Sequence, residues 1–165
     1  MEVSLFLGEP KMECTVKKLA NDFRNAIEKA KKDNAFLTNI YVGCFCGFPY
    51  GCCDEASNLL SRFLLENNIT SNLIRGVYKS DKDCDYIHVW LMVNDIVVDI
   101  TGDQFEEEHE FFNYNKTVYV GPKDNFHKLF TTEIVIKLEA IKDWFLCNEN
   151  EMTIHMLYDI IMKYM

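Results

Sequence analysis

Residues 86–104 read YIHVWLMVNDIVVDITGDQ, and the fold turns on how this stretch pairs with itself. Two runs rich in Val, Ile, Leu and aromatics flank Asn94 and Asp95, residue types that fill two-residue hairpin turns. A turn of that length sets Val93 opposite Ile96 and Trp90 opposite Asp99. Side chains alternate along a strand, so His88, Trp90, Met92, Val97, Asp99 and Thr101 share one face. Val89, Leu91, Val93, Ile96, Val98 and Ile100 make the other, which is wholly aliphatic and must be buried. On the mixed face His88 and Asp99 are diagonal neighbours, with Cβ atoms on the order of 7 Å apart. That is close enough for a His–carboxylate hydrogen bond; an odd-length turn would put them on opposite faces.

Outward from the hairpin, Leu73 to Lys79 is predicted as a strand, Ser80 to Asp85 as a charged turn, and Thr117 to Val120 as a shorter strand. Upstream, Val16, Leu19, Ala20, Phe23, Ile27 and Ala30 recur at helical spacing and predict an amphipathic helix over Thr15 to Lys32. The Gly-, Cys- and aromatic-rich stretch Ile40 to Gly51 is expected to be a loop. Ala56, Leu59, Leu60, Phe63 and Leu64 predict a second helix from Cys53 to Asn67. Thr132 to Cys147 and Thr153 to Met165 are also predicted as helices, separated at Asn148-Glu149-Asn150. The expected fold class is α+β with an antiparallel sheet. No repeat or linker divides residues 1–165, which form a single domain.

The composition narrows the partners. The chain has 165 residues, a net charge of -9, 48% hydrophobic and 26% charged residues, ordinary values for a globular domain. An acidic surface repels phosphate backbones, so nucleic acid is a poor partner. No basic patch draws the chain to an anionic membrane. The seven cysteines are odd in number and form no short disulfide framework, and the N-terminus lacks a charged region followed by a long apolar run. These features predict a reducing, cytoplasmic setting with free thiols; export without such a leader is also compatible. Cys14, Cys84 and Cys147 are expected to be small buried hydrophobes. The spacings Cys44-x-Cys46 and Cys52-Cys53 suit a closed zinc site poorly, so no metal is expected. His109, His127 and His155 have no evident partners.

Residues 48–57, FPYGCCDEAS, carry two thiols into the start of a helix. The first N–H groups of a helix lack internal partners and bear partial positive charge. A thiolate is stabilised there and gains reactivity, and the same N–H groups can hold an oxyanion during acyl transfer. Gly51 permits tight backbone approach just before the thiols. If the Cys53 helix covers the mixed hairpin face, thiol, imidazole and carboxylate converge. Helix phase alone does not choose between Cys52 and Cys53.

The chain order Cys, His, Asp resembles the papain-like cysteine enzyme superfamily, most closely its transglutaminase-like branch. The run His88-Val89-Trp90, followed by Asp99-Ile100-Thr101-Gly102-Asp103-Gln104-Phe105, is similar to the His-x-Trp … Asp-Ile-Thr-x-Asp-Gln-Phe pattern of small bacterial members, and residues 48–53 to their Phe-Pro-x-Gly-x-Cys. The resemblance spans roughly residues 48–105. It implies a nucleophile-bearing helix packed on an antiparallel sheet, with Cys53 as nucleophile, His88 as base and Asp99 as the orienting carboxylate. Cys52 is either a resolving thiol or a bystander. Asp103 and Gln104 orient the triad or cap a turn, Trp90 belongs to the core, and Asn39 and Tyr41 are candidates for an oxyanion-hole side chain. The implied activity is thiol-dependent hydrolysis of a peptide or isopeptide amide through a thioester, without a cofactor. Glutamine deamidation, transglutamination or another acyl transfer would use the same residues. A non-catalytic peptide-binding domain and a redox protein using Cys52-Cys53 are the other classes.

Overall fold

The computed structural model describes residues 9–38, 42–81, 84–148 and 152–165. Four helices accompany a sheet: α1 (Glu9–Lys32), α2 (Cys53–Glu66), α3 (Ile141–Asn148) and α4 (Met152–Met162). The five strands are β1 (Ser71–Tyr78), β2 (Tyr86–Val93), β3 (Ile96–Asp99), β4 (Tyr119–Gly121) and β5 (Thr131–Leu138), in the order β4-β3-β2-β1-β5. Every pairing is antiparallel. The expected α+β class with an antiparallel sheet is therefore observed. No helix among the described residues is long and apolar enough to cross a membrane.

The hairpin register matches the two-residue turn: Val93 pairs with Ile96, Met92 with Val97 and Leu91 with Val98. Asn94 takes the left-handed conformation (φ 53°) that its short polar side chain tolerates. The two faces of the sheet carry separate cores, as the alternation requires. Val89, Leu91, Val93, Val98 and Ile100 pack with α1, α2 and α4, where Val16, Phe23, Ile27, Leu59, Leu60 and Leu64 are buried. Trp90 and Val97 join an aromatic cluster with Phe105, Phe111, Phe126 and Phe130 on the opposite face. Thus α2 lies against the aliphatic face and does not cover the His88 face. The reason is that its own stripe is aliphatic and finds matching surface there, while the opposite face is filled by the loops after β3.

Helix α2 ends where Asn68 adopts φ 60°, with Ile69 N–H bonded to Leu64 O (2.9 Å) and Asn68 N–H to Leu65 O (2.9 Å), the paired bonds of a left-handed helix stop. α1 begins at Glu9, six residues before the predicted start at Thr15. The larger departure is at residues 131–138, which form an edge strand and not the start of a helix. Ile134, Leu138 and Ile141 recur at helical spacing, but the run TTEIVIKL is dominated by β-branched residues, and β1 offers a free edge to pair with. Helical structure begins only at Ile141. Cys14, Cys84 and Cys147 are exposed, not buried, because they lie on outward helix faces and in the turn before β2.

Gly76 pairs with His88 across β1 and β2. A Cβ there would meet Trp90 Cη2 at 2.7 Å and Phe130 Cβ at 2.8 Å, so the missing side chain is what lets these two rings close over the strand. Gly76→Ala is expected to lower stability by about 1–3 kcal/mol through overpacking, measured by urea denaturation. An unchanged midpoint would show that Trp90 and Phe130 do not need this space.

Candidate functional site

The site forms where β3 ends early. On β2, β3 pairs only with Leu91–Val93, so at His88 the neighbour on one side is Gly76 of β1 and on the other no residue of β3. After Asp99 the chain turns into a 3-10 segment, Gly102–Phe105. At this margin half-buried Cys53, the first residue of α2, stands near enough to His88 to contribute to the rise of its pKa. Ser57, one helical turn further, donates its hydroxyl to Val89 O (3.0 Å) and fastens the start of α2 to β2 beside His88. Gly51 precedes the two thiols at φ +67°, a conformation that side chains disfavour, although a Cβ there would have open space. Its requirement is conformational, not steric.

His88 and Asp99 are wholly buried and joined by a hydrogen bond, Nε2 to Oδ2, of 2.8 Å. Asp99 Oδ1 accepts the Thr101 N–H (2.9 Å) and the Thr101 hydroxyl (3.3 Å). Gln104 Nε2 lies 3.1 Å from His88 Nδ1 and donates to Thr101 O at 3.1 Å. The carbonyl of Thr101 requires the nitrogen end of the Gln104 amide to face inward. That nitrogen therefore donates to Nδ1 as well, and the neutral ring carries its proton on Nε2, toward Asp99. Gln104 thus contacts the histidine as well as the Thr101 turn.

Asp103 has a different task. Buried Arg24 of α1 reaches it with both guanidinium ends, Nη1 to Oδ1 and Nη2 to Oδ2, each 2.9 Å, and also donates to Ile100 O. This bidentate pair locks the segment that carries Gln104 to the first helix. Burial pushes the Asp103 carboxyl up more than Arg24 pulls it down. Cys52 is buried, with its thiol directed at Cys44 O and Tyr50 O, both 3.3 Å. Burial, with further pushes from Cys44, Glu55 and Cys53, raises its pKa to about 12, which disfavours the thiolate. Trp90 is core, as expected. Asn39 and Tyr41 lie outside the described residues.

His127, which showed no partner in the sequence, sits at the centre of the site. Its Nε2 is 3.1 Å from Asp99 Oδ2 and its Nδ1 is 2.7 Å from Asp124 Oδ1. The available signal was Asp124 three residues before His127, a spacing that one 3-10 turn closes. His109 and His155 are peripheral, bonded to Asn113 Oδ1 and Asn148 O.

Burial pushes the His88 pKa down, but the Asp99 charge and hydrogen bond, with the Cys53 side chain, overcome it and raise the value to about 9. Burial pushes Asp99 up, but the His88 charge and the bonds from His127 and His88 hold it well below the usual carboxylate range. For His127 the bonds to Asp124 and Asp99 outweigh burial and raise its pKa.

His88, Asp99 and His127 are also the residues whose ligand atoms converge for a cation, all within 4.8 Å of one another. The Gln104 amide weighs against that use. It leaves His88 Nε2 protonated and donating to Asp99, with no lone pair for a metal. Comparison of the chain with protein-family models, curated proteins and solved structures finds no match.

The pKa directions fix a stability profile. His88 is raised from about 6.5 when unfolded to about 9, so its contribution is complete below pH ~6.5 and is lost as pH rises through about 9. Asp99 is depressed, so its contribution is present above about pH 4 and is lost on acidification below it. Melting temperatures of wild type and Asp99→Asn should diverge most between about pH 4 and pH 6.5 and draw together as pH falls well below about 4 or rises through about 9. Parallel curves would show that the pair is not ionised as described.

Proposed function

We propose that the protein is a thiol-dependent enzyme that cleaves an amide bond of a peptide or protein, with Cys53 as nucleophile, His88 as its proton acceptor and Asp99 as the carboxylate that orients the imidazole. The observation that carries this is the orientation of His88: Asp99 holds Nε2, which leaves Nδ1 as the basic atom of the neutral ring, with Cys53 near enough to act on it. The order of the three residues along the chain and the placement of the thiol at a helix start on an antiparallel sheet support a papain-like core of the transglutaminase-like branch. Seven free thiols favour action in a reducing compartment such as the cytoplasm.

In the proposed reaction the neutral form of His88 takes the thiol proton at Nδ1, giving a thiolate–imidazolium pair, and Cys53 Sγ attacks the carbonyl carbon. The oxygen takes up the negative charge, facing the first N–H groups of α2. Once Nδ1 is protonated, the Gln104 amide N–H loses its acceptor on the ring and becomes a further donor for the oxyanion. His88 then gives its proton to the departing nitrogen, the C–N bond breaks and a thioester remains. Water, deprotonated by the same nitrogen, releases the acid and restores the thiol. An amine in place of water gives acyl transfer with the same residues.

The test is intact-protein mass spectrometry after incubation with a panel of peptidyl aryl esters, which acylate thiols readily. A covalent acyl adduct on Cys53 is expected, absent in Cys53→Ala, retained in Cys52→Ala and formed at least about 100-fold more slowly in Asp99→Asn. An adduct that persists in Cys53→Ala, or disappears only in Cys52→Ala, would reject the assignment. A wild type that binds peptides without acylation would favour a binding domain.

A further inference from the structure

His127 takes no part in the proposed bond-breaking, yet its surroundings are as specific as those of His88. It is fully buried, with a carboxylate oxygen against each ring nitrogen. Both carboxylates are well supplied with other donors. Asp99 also accepts from His88 Nε2 and from the Thr101 N–H and hydroxyl. Asp124 accepts from the Tyr114 hydroxyl (3.0 Å), Lys116 Nζ (3.4 Å) and the His127 backbone N–H (3.0 Å). Carboxylates bonded in this way are ionised acceptors, and an imidazole between two acceptors carries a proton on each nitrogen.

The groups facing the ring come from every side. Asp99 comes from β3, and His88 from β2 with its ring centre 6.2 Å away. Tyr119 of β4 stacks at 5.4 Å and Tyr114 stands edge-on at 6.0 Å. Trp90 closes the other side at 5.3 Å, and Lys116 lies beyond Asp124. One anionic oxygen, Asp99 Oδ2, thus serves two histidines.

We propose that His127 is a positioning residue of the thiol site: an imidazolium clamped between Asp99 and Asp124 that fixes the Asp99 carboxylate against His88 and offsets part of its charge. The consequence for the chemistry rests on the role proposed for His88; the charge state of His127 does not. A buried carboxylate acting on His88 alone would hold a proton on that ring too tightly for its return to a leaving group. A second cation on the same oxygen weakens that hold, so His88 can both accept and release the proton.

The experiment is nitrogen-15 NMR of the histidine-labelled protein between about pH 6 and 11, which reads each ring nitrogen without any substrate. Both His127 nitrogens are expected to be protonated through the neutral range. In His127→Gln, which keeps a donor for Asp99 but loses the charge, the His88 titration is expected to move upward by about one pH unit, the scale of a unit charge at this separation in a protein interior. A merely structural His127 would leave the His88 titration in place or lower it. Should His127→Gln fail to fold, Asp124→Asn serves instead: His127 should then lose its proton at lower pH. A wild-type His127 that is neutral at pH 7, or a His88 titration unmoved in a folded His127→Gln, would overturn the proposal. Neither readout depends on acylation of Cys53, so failure here and failure of the thiol-enzyme function are told apart.

Discussion

A carboxylate without water must find donors or give up its charge, and Asp99 is wholly buried. Two imidazoles, one backbone N–H and one hydroxyl converge on its two oxygens. The rest of the site is organised by that requirement. β3 brings the carboxylate to the margin of the sheet, β2 brings His88, the segment after β4 brings His127, and the turn at Thr101 supplies the remaining donors. Each partner is itself held: His88 by Gln104, His127 by Asp124, and the Gln104 segment by Arg24 through Asp103. Removing one member leaves a buried polar group without its partner, so the network acts as a unit.

The same organisation separates support from chemistry. The helical layer rests on the aliphatic face of the sheet and supplies bulk burial, while the opposite face is closed by aromatic rings around the two histidines. β3 stops at Asp99 and pairs with β2 no further than Leu91, and Ser57 ties the start of α2 to β2 at Val89, next to His88. Cys52 and Cys53 are neighbours in sequence with opposite characters. One thiol is turned inward to two backbone carbonyls, and the other belongs to a half-buried residue near enough to His88 to raise its pKa.

Much of this was legible in the sequence where the signal was local. A period of two and a two-residue turn are enough to put His88 and Asp99 on one face, and the hairpin carries both. The helix start at Cys53 was equally plain from the apolar stripe that follows it. Tertiary choices were not legible. The face that α2 covers depends on what fills the other, and the loops after β3 carry no periodicity to show that they fold back. Thr131–Leu138 shows both a helical spacing and a β-branched run, and only the free edge of β1 decides between them. His127 lies 28 residues beyond Asp99, and Arg24 lies 79 before Asp103. Nothing in the sequence links such distant positions, because each pair is made by the packing of separate elements.

The central claim is that Cys53 and His88 form one reactive unit. It is tested most directly by alkylation with iodoacetamide as a function of pH, with each modified cysteine identified by peptide mass spectrometry. The exposed Cys14, Cys84 and Cys147 serve as internal references. The account predicts that Cys53 labels fastest of the seven at neutral and mildly acidic pH, and that this advantage is lost in His88→Ala. Labelling of Cys53 that tracks the exposed cysteines in wild type, or that is unchanged in His88→Ala, would contradict it.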